Sequence, residues 1–215
     1  MKKLIWILAV LVFSGALFAQ KSPYPKSPVI KDVKFNWPTH VRLASGSDNW
    51  PVTWADDNQQ YTVWGDGGGF GGTNSAGRTS IGVAKIAGTW HAFKAENVWG
   101  GYANDNKHKV KGKSYGIISI NGVLYMWVFK HVPNGPFYDH IYLAHSKDKG
   151  ETWTFSDWKF SREDKFMTPT FCNFGKDYQG ARDEYVYSYF IRFQSFEGPD
   201  DYEDKASYLS ITRHI

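Results

Sequence analysis

The sequence predicts an all-β fold, a β-propeller built of four-stranded antiparallel blades of about 60 residues each. About three blades are present, which would make an incomplete ring. Three observations predict this fold. Beyond residue 19, no segment keeps apolar residues at helical spacing between capping residues. Short segments rich in β-branched and aromatic residues alternate with turn residues. Markers within those segments repeat at a nearly constant interval.

Five segments carry the strand signal most clearly. Asn121-Gly122 stands between two of them and predicts a type I′ hairpin turn, because both residues adopt positive φ angles readily. The five predicted strands are Gln60–Trp64, Ser114–Ile120, Val123–Phe129, Ile141–His145 and Glu184–Phe190.

The repeat rests on three kinds of marker. A tyrosine follows a turn in each unit, an apolar residue marks the next strand, and a tryptophan ends the turn after it. The markers are Tyr61, Tyr125 and Tyr185, then Val83, Leu143 and Leu209, then Trp90 and Trp153. They predict blades at about 40–100, 101–163 and 164–215. A β-sandwich would explain the strands but not the period. Propellers close with about four to eight blades, so the missing blades are expected from a longer chain or a partner.

The N-terminus reads as a secretory signal peptide. Lys2 and Lys3 precede an apolar run from Leu4 to Phe18, and small residues lead to Ala19. The run is shorter than the about 20 residues that a transmembrane helix needs. We therefore expect residues 1–19 to be removed, residues 20–39 to form a linker or strand, and the protein to be secreted or periplasmic, with no membrane contact after cleavage.

Charge and cysteine content limit which partners and which covalent cross-links are expected. The 25 basic and 21 acidic residues give a formal charge of +4, which does not predict a nucleic-acid partner. The basic run 107–113 is interpreted as a solvated loop. Cys172 is the single cysteine, so a disulfide framework is excluded and a buried, inert thiol is expected.

One motif carries a family resemblance. Its pattern, S-x-D-x-G-x-T-W, resembles the Asp-box (BNR repeat) of the sialidase-like propeller superfamily. The residues that match it are Ser146, Asp148, Gly150, Thr152 and Trp153. The resemblance implies a structural turn between the third and fourth strands of a blade, on the edge away from the active face. Neither a sialidase arginine triad nor an opening Arg-Ile-Pro occurs, and Arg42 is a poor substitute, which argues against sialidase activity itself. The segments Trp64–Phe70 and Phe174–Tyr185 are similar to those of uncharacterised secreted bacterial propeller proteins.

Strand order then sorts the loops between two edges. Loops joining strands one and two share the Asp-box edge, which places Asp56, Asn121 and Arg182 there. The opposite edge is the candidate ligand face. Its candidate catalytic residues are Asp48, Asp66, His131, Tyr138 and His140, and its candidate substrate-binding residues are Trp50, Asn74 and Arg78. Asn49, His108 and Asp139 fall on the same edge. Each of these has a plain alternative as a solvated loop residue.

Four functions remain open. Three of them involve polysaccharide or another glycan, and the fourth is a structural or interaction propeller with no small ligand. A glycoside hydrolase needs two carboxylates, for which Asp48, Asp66 and Asp139 are available. A lyase acting on uronic-acid polymers would use His and Tyr as base and acid beside a cation. A binding module would expose aromatic rings, and aromatic residues make up 18% of the chain. The hydrolase is the leading hypothesis.

The remaining motifs give little further chemistry. The glycines of segment 65–72 match a dinucleotide fingerprint, but a loop follows where that fingerprint needs a helix. The segment is expected either to bring backbone close to a ligand or to form a purely structural turn. The spacing of His131 and His140 does not fit zinc. No cofactor is predicted, and a calcium ion bound by loop carbonyls stays open.

Overall fold

The computed structural model describes residues 24–102, 110–130, 140–192 and 206–213. Within these ranges the secondary structure is antiparallel β-sheet, with 3-10 helices at Trp37–Thr39, Arg162–Asp164 and Lys176–Tyr178 and no α-helix. The prediction of an all-β protein is confirmed. None of the helices in these ranges is long and apolar enough to span a membrane. The predicted signal peptide lies outside the described residues.

The chain divides into two compact units, residues 1–40 and residues 41–215. In the first unit, the described residues 24–40 hold one 3-10 helix and no strand. All strands therefore belong to the second unit as far as the chain is described. Their bounds are β1 Val52–Trp54, β2 Gln60–Trp64, β3 Gly82–Thr89, β4 Ala92–Trp99, β5 Ile117–Ile120, β6 Val123–Lys130, β7 His140–Ser146, β8 Thr154–Phe155, β9 Phe160–Ser161, β10 Phe166–Phe171, β11 Tyr185–Arg192 and β12 Ala206–Arg213.

These strands form three sheets in chain order. The first sheet has the order β1-β2-β3-β4, the second β5-β6-β7-β8 with β9 also paired to β7, and the third β10-β11-β12. Every neighbouring pair is antiparallel. The hairpin predicted at Asn121-Gly122 joins β5 to β6, and both residues have positive φ, 50° and 77°.

The register shows which repeat markers correspond. Val63 pairs with Val83 and Trp127 with Leu143, so Tyr61 and Tyr125 hold equivalent places two residues before these partners. The third sheet pairs Leu209 with Tyr189 instead. The counterpart of Tyr125 is therefore Tyr187, and the prediction of Tyr185 was wrong by two residues. The side chains of a strand repeat their face every two residues, so a pattern of alternating tyrosines does not fix the register.

The second sheet is packed on both faces. Leu124, Met126 and Val128 of β6 join the core cluster that includes Tyr61 and Val83 of the first sheet. The alternate residues of β6, Trp127 and Phe129, join a second cluster with Phe190 of the third sheet. The Trp127 indole stacks on Phe171, with ring centroids 5.6 Å apart, and donates a 3.2 Å hydrogen bond to the Ser188 hydroxyl. Burial on both faces explains why β6 is apolar at almost every position.

The predicted Asp-box turn connects β7 to β8. The Asp148 carboxylate accepts hydrogen bonds from the Ser146 hydroxyl at 2.7 Å and the Thr152 amide at 2.9 Å, and also from the Thr152 hydroxyl. Gly150 has a φ of +94°, and its carbonyl accepts a 3.0 Å bond from the Trp153 indole. Trp153 packs against the core between the first two sheets. The turn is therefore held by hydrogen bonds among its own residues.

Two other expectations from the sequence need correction. Trp90, the counterpart of Trp153 in the repeat, does not pack into the first sheet but is 80% exposed. The β3–β4 connection is a tight hairpin in which Thr89 pairs with Ala92, so no turn long enough to fold the indole back exists there. Cys172, expected to be buried, is half-buried.

Candidate functional site

The turns at the Asp-box end of the strands contact one another across sheets. Lys149 of the β7–β8 turn forms an ion pair with Asp56 of the β1–β2 turn and donates a 2.9 Å hydrogen bond to the Gly122 carbonyl. The Gly122 amide donates in turn to the buried Asp177 carboxylate at 2.9 Å. We call this end, defined by Asp56, Gly122 and Lys149, the Asp-box edge. The hydrogen bond of Lys149 draws the pKa of Asp56 below its ordinary value against the effect of desolvation.

The opposite end carries the candidate site. We call it the candidate edge and define it by Asp48, the segment 65–78 and Lys113. Asp48 and Gly65 form an isolated antiparallel bridge, with reciprocal backbone hydrogen bonds of 2.9 Å and 2.8 Å. This bridge places Asp48 directly beside the end of β2, where Asp66 follows. The two candidate residues therefore adjoin the same glycine, Asp48 as its partner across the bridge and Asp66 as the next residue, although they are 18 residues apart in the sequence.

Asp66 is the charged centre of this edge. Its Oδ1 lies 2.5 Å from the Lys113 ammonium and 3.2 Å from an Arg78 guanidinium nitrogen. Arg78 also donates to the Asn74 side-chain oxygen at 2.5 Å and to the Asn74 carbonyl at 3.0 Å. Asp66 has a φ of +52°, a left-handed conformation that Asp tolerates better than most residues. Three predicted residues, Asp66, Asn74 and Arg78, thus belong to one polar cluster, and Asp48 is paired through its backbone with the glycine before Asp66.

Lys113 is the residue that the sequence interpretation missed. It belongs to the basic run 107–113, which the sequence predicts to be a solvated loop, yet its side chain is only 13% exposed. Its backbone pairs with Phe129 of β6 through hydrogen bonds of 3.0 Å and 2.8 Å. By contrast, Lys111 in the same run is exposed, as predicted. The signal that could have distinguished the two was position, because Lys113 stands directly before the segment Ser114–Ile120 that was itself predicted as a strand.

The glycine-rich segment is a structural wrap around Trp64. A Cβ at Gly69 or Gly82 would lie 2.4 Å or 2.3 Å from a carbon of this fully buried indole, so neither position accepts a side chain without displacement. Asn97 of β4 fixes the segment further, accepting from the Phe70 amide at 3.0 Å and donating to the Phe70 carbonyl at 3.1 Å. Of the two predicted alternatives, these contacts favour the structural turn.

Trp50 shares in that packing. Its ring stacks on Trp64 with centroids 5.5 Å apart and lies 5.2 Å from the Phe70 ring. Trp50 is half-buried, so one part of the indole is engaged in packing and the remainder faces solvent beside Asp48 in the chain. Only part of the Trp50 indole is therefore available to stack on a sugar ring.

Of the other predicted catalytic residues, the structure describes His140 alone. His131, Tyr138 and also Asp139 and His108 lie outside the described residues. His140 begins β7 in the second sheet, where it pairs with Lys130 of β6, and its ring centroid is 6.1 Å from that of Tyr142. The Lys130 ammonium lies 4.5 Å from the Tyr142 ring and 4.3 Å from the Phe155 ring, which are cation–π distances.

The chemistry available at the candidate edge is that of two carboxylates and two cations. Asp48 is exposed, and its Oδ1 accepts a 3.1 Å hydrogen bond from the side-chain nitrogen of Asn49. Asp66 shares its charge with Arg78 and Lys113. Such a set can stabilise positive charge, exchange a proton or hydrogen-bond hydroxyl groups. Across the described ranges no group of three or more His, Cys, Asp or Glu side chains is arranged to hold a metal ion.

Comparison with known proteins gives little beyond this. No family model matches the chain, and no curated protein matches it. Among solved structures, one that matches is the crystal structure of a thermostable family-43 glycoside hydrolase, at 15% sequence identity and a TM-score of 0.48. The alignment covers 81% of this chain and 57% of that one, so the chain spans little more than half of that protein's length. A likeness of this size leaves the function of the chain open.

Proposed function

We propose that this chain is a secreted, carbohydrate-active β-propeller, sialidase-like in architecture, that acts on extracellular polysaccharide as a glycoside hydrolase. Its three sheets would be successive blades. The support for this architecture is the order of the three meandering sheets and the Asp-box hydrogen bonds around Asp148. The support for secretion is the sequence of residues 1–19 alone.

One observation carries the catalytic part of the proposal. Asp48 and Asp66 come from different segments, yet the bridge between Asp48 and Gly65 brings them to either side of one residue on the candidate edge. Glycoside hydrolysis requires a pair of carboxyl groups on either side of the scissile bond, one to protonate the leaving oxygen and one to act as base or nucleophile. Two carboxylates and a half-exposed tryptophan on one edge form a set suited to that reaction.

The surroundings of the two groups suggest separate roles. Asp66 faces two cations that orient its carboxylate, and we assign it the role of nucleophile or base. Asp48 is exposed and has no ion pair among the residues that the structure describes. Asp48 is then the carboxyl group left for the role of general acid.

The test is a panel of polysaccharides incubated with the purified protein, with release of reducing ends as the measurement. D48N and D66N keep the size of each side chain and should lower the rate about 100-fold or more, the usual contribution of a general acid or base. D157N is the matched control, since Asp157 is also exposed but follows β8. Full activity of D66N would exclude the assignment. Ultraviolet absorbance of an unsaturated product would instead identify a lyase.

A second candidate, glycan binding without catalysis, has an observation of its own. Both ion pairs of Asp66 engage Oδ1, so this oxygen could bond to a substrate only after the pairs open or shift. A binder needs no such change, because Arg78 and Asn74 are exposed and can donate to sugar hydroxyls directly. Binding to a glycan that is never cleaved, weakened by R78M but unaffected by D48N, would favour this function over hydrolysis.

A further inference from the structure

Lys113 combines a buried ammonium with a backbone that belongs to another sheet. Its Nζ is shielded from solvent and lies 2.5 Å from Asp66 Oδ1. Its backbone is bonded in both directions to Phe129 of β6, in the second sheet. Asp66, by contrast, follows β2 of the first sheet. The side chain of Lys113 therefore crosses from one sheet to the site that the other sheet carries.

The ammonium and the Asp48 carboxylate both lie next to Gly65, although no ion pair joins the two. A Cβ built at Gly65 would lie 3.1 Å from Lys113 Nζ and 3.3 Å from Asp48 Oδ1, so both groups are close to this glycine. Lys113 thus contacts the Asp66 carboxylate directly and borders the same glycine as Asp48. A positive charge in this place keeps two negative groups close together at low cost.

We propose that Lys113 is a positioning residue: it fixes the Asp66 carboxylate relative to Asp48 and makes the site depend on the packing of two sheets. This inference rests on the proposed function for its catalytic consequence. The charged groups that face Lys113 are Asp66 and Asp48, and Arg78 faces the same Asp66 oxygen.

Arg78 cannot replace Lys113 in this role. Arg78 is carried by the same connection as Asp66, and its side chain is 45% exposed, so this pair moves with the loop and is screened by solvent. Lys113 is 13% exposed and anchored to a strand. Of the two cations, it is the one that can hold the carboxylate in place.

A matched control exists at the other end of the strands. Lys149 also starts from the second sheet and pairs with an aspartate of the first sheet, Asp56, but at the Asp-box edge. Both lysines join the same two sheets, so a purely structural effect of removing either should be similar. K113M and K149M each remove an ion pair between these sheets, but only K113M removes a contact with a candidate catalytic carboxylate.

Kinetics on the most rapidly cleaved polysaccharide test the positioning role. K113M should lower kcat about 10- to 100-fold with KM changed no more than about twofold, because the carboxylate is misplaced while the sugar contacts remain. K113R keeps the charge and should recover part of kcat, and K149M should leave kcat unchanged. Wild-type kcat in folded K113M, or an equal loss in K149M, would overturn the proposal.

A double-mutant cycle tests the same contact without any activity. The decreases in melting temperature caused by K113M and D66N should be non-additive. The double variant should melt several degrees higher than the sum of the two single decreases predicts. The cycle of R78M with D66N should be nearly additive, as exposed pairs are. If no polysaccharide is cleaved, the proposed function fails, and this cycle alone decides the positioning role. Additivity for K113M and D66N would refute it.

Discussion

The turn around Asp148 gives the clearest prediction of stability from the structure. Its carboxylate holds the β7–β8 connection through three hydrogen bonds, from the Ser146 hydroxyl and from the amide and hydroxyl of Thr152. Asn has the same shape but only one oxygen, so D148N keeps the acceptor for the Thr152 amide and removes the negative charge. D148A removes all three bonds and leaves the backbone free to open.

The magnitude follows from the exposure of this group. A hydrogen bond to a charged acceptor contributes about 1.5–3 kcal/mol when it is shielded, but Asp148 is exposed, so the three bonds together should contribute roughly 1–2 kcal/mol. For a chain of this size, D148A should lower the melting temperature by about 3–8 °C. D148N should lose about half as much.

The loss should also depend on pH. Desolvation alone would raise the pKa of Asp148, but the hydrogen bonds from Thr152 and Ser146 outweigh it and lower the pKa below the ordinary 3.8. A carboxyl whose pKa is lower in the folded state stabilises the fold above its unfolded pKa, and the contribution disappears as pH falls through the folded value. The difference between the wild type and D148N should therefore be constant above about pH 5 and shrink below about pH 4.

The assay is thermal unfolding followed by circular dichroism, at several pH values from above about pH 5 to below about pH 4. Asp56 also has a pKa below its ordinary value, so only the difference between the wild type and D148N is informative. If the difference persists unchanged in acid, the charge of Asp148 does not stabilise the turn, and the reasoning is refuted. Equal melting temperatures at neutral pH would refute it as well.

Two further predictions concern groups away from the site. G82A should lower the free energy of unfolding by about 1–3 kcal/mol through overpacking, because its Cβ would lie 2.3 Å from the buried Trp64 ring. Adding W64F to G82A should offset part of that loss, as measured by chemical unfolding. The hydrogen bond to Asp183 raises the pKa of Tyr187 to about 12, so D183N should return it towards 10 in an absorbance titration read as the difference from Y187F. The stabilisation from this bond should be present below pH 10 and disappear as pH rises towards 12. An unchanged midpoint in D183N would contradict it.

Much of the fold follows from local sequence. Asn121-Gly122 adopts the paired positive φ angles that a two-residue hairpin requires, and the S-x-D-x-G-x-T-W segment forms the turn that its side chains dictate. The five predicted strands overlap β2, β5, β6, β7 and β11. Each of these signals is local, because the residues that cause the structure lie within a few positions of one another.

The features that were missed depend on contacts between distant segments. Trp90 and Trp153 end similar sequences, yet only the second turn is long enough to return its indole to the core. Lys111 and Lys113 stand in one basic run, and only pairing with β6 separates the exposed lysine from the shielded one. Residue type does not record such pairings, so a sequence pattern cannot distinguish the members of either pair.

The packing of the second sheet also explains why the candidate site is made of connecting segments. In β6 the even positions Leu124 and Met126 face the first sheet, and the odd positions Trp127 and Phe129 face the third. A strand buried on both faces has no side chain to offer to a ligand. Around β6, functional groups must therefore come from the segments beyond the strand ends. A residue such as Lys113, anchored to a strand but reaching into that region, is the means by which a rigid core can fix the geometry of a site built from loops.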